Sequence, residues 1–287
     1  MIINTTQCFN SMSISLDKNN MIYDSYCCRA WYNETNRHSF EYVYNNTKEY
    51  LDKIFSEFQV KERYPNGYCV RYNKNTLCNC KIYPIKQINQ INLGTLTKCN
   101  YDCPNCSQKY NRNNGNPLDM ELSITKKIIS ELSNYPNITK IQLSNSGEIF
   151  CYNINELLQI IPKNITNLEF LTNGYNMKYL NLQDVDINYI ISFPSLDREI
   201  YKKLTGGINS LDTVKTNIIN LSKKTKNIYL NFILFKENYT ELEDIKKFSD
   251  SLGIKLYVLA NMFDNSMKAK ILELRKQYKD ILFEGVN

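Results

Sequence analysis

Cysteine is the residue type with the most chemistry to offer in this chain. There are ten, at positions 8, 27, 28, 69, 78, 80, 99, 103, 106 and 151, and nine of them precede residue 107. A chain of 287 residues can bury a core without disulfide staples. Its first residues, MIINTTQCFN, show no basic stretch followed by an apolar run, so no secretory signal is expected. The thiols are therefore expected in the reducing cytoplasm, free or bound to metal. The densest group is Cys99-Asn100-Tyr101-Asp102-Cys103-Pro104-Asn105-Cys106, a C-x3-C-x2-C spacing. Three thiolates so spaced on one loop can converge on one inorganic centre, and thiolates are the soft ligands that iron–sulfur clusters take. A four-iron cluster held by only three cysteines keeps one iron open to a small molecule, whereas a structural zinc site takes four protein ligands. Zinc would need a fourth donor such as Cys80 or Cys151. The sole histidine, His38, is remote in sequence and reads as a surface or packing residue.

Composition narrows the classes further. With 43% hydrophobic and 22% charged residues the chain is globular rather than disordered. No run approaches the ~18 apolar residues of a membrane span, so no membrane partner is expected. The net charge of +6 comes from lysines scattered along the chain, which argues against a nucleic-acid partner.

The elements that must position the cysteine loop follow from periodicity. Residues 12–16 alternate at period two, 17–20 make a polar turn and 21–23 resume, which predicts a hairpin. Residues 47–58 predict a helix with Tyr50, Leu51, Ile54, Phe55 and Phe58 on one face. A turn-rich stretch with Pro65-Asn66-Gly67 and three cysteines follows, and a boundary is expected near 84–89. This divides the chain into a small cysteine-rich α+β module, 1–84, and a larger domain, 85–287. In the latter, strands are expected at 91–96, 140–143, 168–171, 187–193, 228–235 and 254–259. Helices are expected from a Ser123 cap to near Pro136, and at 156–161, 197–204, 211–221, 242–252 and 266–282. Repeated β-α-β units imply parallel strands with helices packed outside. Six units fall short of a closed eight-fold barrel, so the fold class expected is α/β, a partial, open (β/α)6 barrel. In such folds ligands sit at the carboxyl ends of the strands, where the cysteine loop also falls.

The C-x3-C-x2-C loop after a first strand resembles the signature of the radical S-adenosylmethionine (SAM) enzymes, and the resemblance runs over residues 91–259. Asn105 stands where that family usually has an aromatic or other hydrophobic residue. Ser146-Gly147-Glu148, after the second strand, resembles the family's two-glycines-and-acid turn, with Ser146 in place of one glycine. Thr172-Asn173-Gly174 is similar to its TNG turn, and Ser192 and Asn231 fall where the family places polar residues on its fourth and fifth strands. The resemblance implies a [4Fe-4S] cluster on Cys99, Cys103 and Cys106, with SAM contacts from Tyr101, Asn105, Ser146, Gly147, Glu148, Asn173, Ser192 and Asn231. It further implies that SAM chelates the open iron through its amino and carboxylate groups. One electron would then split the sulfonium bond, and a 5′-deoxyadenosyl radical would take a hydrogen atom from the substrate.

Hairpin, helix and cysteine-rich loop together resemble the SPASM or twitch modules that carry auxiliary clusters in this family. The match rests on Cys8-x18-Cys27; the later Cys69-x8-Cys78-x-Cys80 departs from the family's run. This resemblance implies a second iron–sulfur cluster, with Cys8, Cys27, Cys69 and Cys80 as one choice of ligands; zinc and packed free cysteines remain as alternatives. The function expected is that of a radical SAM enzyme with an electron donor such as ferredoxin or flavodoxin and a peptide or protein substrate. Two alternatives stand beside it, a non-catalytic zinc-binding interaction protein and a radical SAM-like chain without turnover.

Overall fold

The computed structural model describes residues 11–16, 22–25, 37–60, 89–106, 119–143, 147–260 and 267–284. They fall into two units. The first comprises residues 1–98, 110–169 and 182–186, the second 99–109, 170–181 and 187–287.

In the first unit the strands are β1 (Ser11–Leu16), β2 (Ile22–Ser25), β3 (Arg37–His38), β4 (Gln90–Gly94), β5 (Lys140–Leu143) and the start of β6 (Asn167–Thr172), in the order β6-β5-β4-β1-β2-β3. The expected hairpin forms, with β1 antiparallel to β2 and Ile14 opposite Asp24. β1 also lies parallel to β4, Ile14 opposite Leu93, and β4 lies parallel to β5, Asn92 opposite Gln142. Alternation decides the faces, since residues two apart on a strand point the same way. Ile91 and Leu93 of β4 and Ile141 and Leu143 of β5 are fully buried. Helix Leu122–Glu131 buries Ile124, Ile128 and Ile129, and the helices Phe40–Asn45 and Thr47–Val60 pack on it. Each such aliphatic side chain contributes about 1.5–3 kcal/mol relative to exposure. The longer of those two helices follows expectation, burying Tyr50, Leu51 and Ile54. His38 packs as expected, stacked on Tyr42 and edge-on to Tyr50.

Ser123 does not cap its helix. Glu121 holds that position, its carbonyl accepting from the Ile124 and Thr125 amides, and the Ser123 hydroxyl donates to the Glu121 carboxylate. The helix therefore starts a residue before Ser123, and its end tightens into a 3-10 turn at Leu132–Asn134.

In the second unit β7 (Asp186–Ser192), β8 (Ile228–Leu234), β9 (Lys255–Ala260) and β10 (Leu282–Glu284) stand in the order β10-β9-β8-β7, all parallel. Helices Arg198–Leu204 and Leu211–Ser222 both lie between β7 and β8, Leu242–Leu252 between β8 and β9, and Lys268–Gln277 between β9 and β10. Residues 173–185, between β6 and β7, hold no helix, in keeping with the helices expected, and that step of the repeat is an irregular connector. One expectation changes here. The last helix stops at Gln277 rather than 282, because the chain leaves helical angles at Tyr278 and Leu282-Phe283-Glu284 pair along β9.

Strands β4 to β9 are the six that the βα series predicts, and both units are parallel α/β in the paired strands of that series. Cys8, Cys27, Cys69 and Cys80, Ser146, and the 84/85 boundary lie outside the described residues. Among the described residues no helix is long and apolar enough to cross a membrane.

Candidate active site

Strand β4 ends at Gly94, and the chain continues without regular structure through Thr95, Leu96 and Thr97, all fully buried, to exposed Lys98 and then Cys99. The cysteine loop thus leaves a strand whose end is locked in the core. In the first unit the stretch just before Cys99 forms a cradle. The Glu148 amide donates to the Lys98 carbonyl at 2.9 Å. Gly147 lies flat on the same backbone: a Cβ there would sit 2.5 Å from Lys98 O and 2.8 Å from Leu96 O. Only glycine allows this approach. The Glu148 side chain is buried, and its Oε1 accepts from the Phe150 amide at 3.2 Å, capping the short turn Ile149–Cys151. Tyr152 follows, its hydroxyl donating to Met120 O at 2.6 Å and lying 3.0 Å from Thr125 Oγ1. Burial pushes this phenol up to about 12. Cys151 is half-buried.

The second unit holds the loop itself. Cys99, Cys103 and Cys106 are all half-buried, and the Cys106 amide donates to the Cys103 carbonyl at 3.1 Å. Asn173, directly after β6, reaches the loop: its Nδ2 donates to Asn100 Oδ1 at 2.7 Å and lies 3.7 Å from Cys99 Sγ. Its Oδ1 accepts from the Tyr175 amide at 3.0 Å, which fixes the side chain. Tyr101 turns inward, with only 4% of its surface exposed. Its hydroxyl is 3.1 Å from the Tyr201 hydroxyl and hydrogen-bonds to Ser210 Oγ. Burial raises both phenols above their ordinary value, so they stay protonated at neutral pH. This placement gives Tyr101 an anchoring part that its expectation as a cofactor contact did not include. Asn105 is exposed.

Ser192, the last residue of β7, is the register partner of Asn231 on β8. Asn231 is 6% exposed, and its Oδ1 is buried without a hydrogen-bond partner among the described residues. A buried acceptor left unmatched costs about 1–3 kcal/mol, a cost that a donor group on a bound ligand would relieve.

The donor set fits an iron–sulfur cluster. Among the described residues no three His, Cys, Asp or Glu side chains gather round a single point as one metal ion requires. A cluster asks for something else, because each thiolate binds a different iron. Three half-buried thiols on eight residues, a side-chain amide beside Cys99 and an orphan acceptor on a parallel strand suit a cluster and a polar ligand better than a closed tetrahedral site.

Comparison with known proteins decides the family. Residues 94–249, over half of the chain, match the model of the radical SAM superfamily. The chain belongs to the radical SAM superfamily. Such an enzyme uses a [4Fe-4S] cluster and SAM, and the match carries the enzymatic expectation over the zinc-binding alternative. The radical SAM chain is 26% identical over 209 residues to a protein of Methanococcus aeolicus named "Probable GTP 3',8-cyclase", covering 68% of this chain and 67% of the relative. It is 29% identical over 170 residues to a second protein so named, from Sulfurisphaera tokodaii, and there spans about half of the relative, 52%, and 56% of itself. Among solved structures, Streptococcus suis SuiB bound to its precursor peptide SuiA matches over 97% of this chain and 72% of that one, with a TM-score of 0.50 at 12% identity, a likeness of fold.

Sequence reasoning missed Tyr201, Gly206 and Ser210. Gly206-Gly207 falls between the helices expected at 197–204 and 211–221, and that junction was the available signal.

Proposed function

We propose that this chain cleaves SAM reductively at a cluster held by Cys99, Cys103 and Cys106, and starts radical chemistry on a peptide or protein. The observation that carries the reading is the three-thiol loop leaving a buried strand end, with Gly147 seated on the backbone just before Cys99. When bound, such a cluster supplies the electron that splits SAM into methionine and a 5′-deoxyadenosyl radical. The chain's own residues hold and orient. Asn173 steadies Cys99, residues 146–148 offer main-chain oxygens to the methionine amino group, and Ser192 with the Asn231 carbonyl receives hydroxyl donors of SAM. Tyr101 and Asn105 shape the loop on either side of Cys103. Residues 1–84 act as a SPASM- or twitch-like module with a second cluster on Cys8, Cys27, Cys69 and Cys80. The enzyme works in the cytoplasm and takes its electron from ferredoxin or flavodoxin.

Anaerobically reconstituted protein should bind iron and form 5′-deoxyadenosine from SAM under dithionite. The triple variant Cys99→Ala/Cys103→Ala/Cys106→Ala should do neither; wild-type turnover by that variant ends the reading. A second substrate reading, GTP, is favoured by the likeness to the two cyclase-named relatives. Consumption of GTP coupled to SAM cleavage would select it over a peptide.

A further inference from the structure

We propose that Tyr101, Tyr201, Ser210 and Gly206 form a brace that sets the geometry of the cysteine loop before any cluster is bound, and so act as positioning residues for the three thiols. The proposal rests on the cluster reading above. Three residues separate Cys99 from Cys103, and two of them are gripped. Tyr101 is a peg: its ring is buried, and its hydroxyl meets Tyr201 of helix Arg198–Leu204 and Ser210 at the head of helix Leu211–Ser222. Asp102 is laid on a cradle. Gly206, in the turn joining those helices, has φ +83°, and a Cβ on it would fall inside the Asp102 carbonyl group. One helix–turn–helix thus holds consecutive residues of the loop by a side chain and by the main chain.

Ser210 supplies an independent sign. It occupies the N-cap position, where a serine hydroxyl ordinarily accepts from an amide of the first turn. Here it makes no such bond and goes to Tyr101 instead. The helix forgoes its cap so that the loop keeps its anchor. The Tyr101 amide in turn lies 3.4 Å from Cys99 Sγ, so the peg is tied to the first thiol. A loop without regular structure loses conformational entropy when it is ordered, and the brace carries that cost in the protein fold rather than leaving it to the metal.

Metal-free protein tests this directly. Timed alkylation with iodoacetamide, read cysteine by cysteine by mass spectrometry, should show Cys99 and Cys103 reacting about fivefold faster in Tyr101→Phe, Ser210→Ala and Gly206→Ala than in wild type, the order expected when one buried hydrogen bond is lost. Cys151 should keep its wild-type rate. Reconstituted variants should lose iron to a chelator about fivefold faster and show an altered electron paramagnetic resonance signal of the reduced cluster. Tyr101→Phe and Ser210→Ala remove only hydroxyls, so they keep the test open if Gly206→Ala disturbs folding. Wild-type alkylation rates at Cys99 and Cys103 in those two variants would overturn the brace. Failure of wild-type protein to take up iron would overturn the cluster reading alone, since the alkylation comparison needs no metal.

Discussion

Replacing Gly147 by alanine adds one carbon at a place where the main chain has no room. The new Cβ would stand 2.5 Å from Lys98 O, 2.8 Å from Leu96 O and 3.0 Å from Thr97 C. Ordinary contact begins near 3.4 Å, so the two backbones must part by about 0.9 Å at the tightest point. Neither side can yield cheaply. Leu96 and Thr97 are fully buried, and the Glu148 amide is bonded to Lys98 O at 2.9 Å. Overpacking of this kind costs about 1–3 kcal/mol, and loss of that hydrogen bond adds about 1 kcal/mol. A total of about 2–4 kcal/mol should lower the melting temperature of the metal-free protein by roughly 4–8 °C, at about 2 °C per kcal/mol for a chain of this size. Because Lys98 directly precedes Cys99, the displacement also reaches the thiol loop, and iron uptake on reconstitution should fall with it. Thermal denaturation followed by circular dichroism, paired with iron analysis, reads both effects. A Gly147→Ala protein that melts and loads iron like wild type would refute the reasoning, because it would mean the backbones separate freely.

Two further outcomes are expected. Asn231→Ala removes a buried acceptor that has no partner among the described residues, so stability should change by less than about 1 kcal/mol while the KM for SAM rises about tenfold; an unchanged KM in the 5′-deoxyadenosine assay would remove Asn231 from the ligand's contacts. Burial holds the Tyr152 and Tyr189 phenols up to about 12, above their ordinary value of 10. A group whose folded value is raised contributes stability that is complete below pH 10 and is lost as the pH climbs from 10 toward 12. Phenolate absorbance should therefore show a late-titrating class of tyrosines that ionises together with loss of structure; ionisation of every tyrosine near 10, with circular dichroism unchanged, contradicts this.

Strong periodicity made most of the fold legible. Leu242–Leu252 and Lys140–Leu143 fall where apolar spacing puts them, because burial of those side chains outweighs every local alternative. What the pattern did not disclose is of two kinds. The first is competition between structures of similar apolar content. The run Ile281-Leu282-Phe283 continues an apolar stripe on paper, yet Leu282 and Phe283 pair with β9 as a strand. The Ser123 cap fails because a serine ahead of an apolar run says nothing about which neighbouring carbonyl takes the first helical bonds. The second kind is contact at long separation. The thiol loop is readable because its ligands lie within eight residues, but Tyr101 meets partners 100 and 109 positions away. Nothing in the sequence next to Tyr101 marks it as a peg, and Gly206 shows its purpose only when Asp102 lies against it.

The partnership of β1 with β4 has a consequence for how this protein can be cut. With β1 on one flank and β5 on the other, the strand that delivers the thiols has no free edge. A fragment begun just before β4, without the hairpin, would strip away that flank and leave a row of unpaired amides and carbonyls along β4, a template for unwanted strand addition. The amino-terminal hairpin is thus a guard rail for the strand that leads into the cysteine loop.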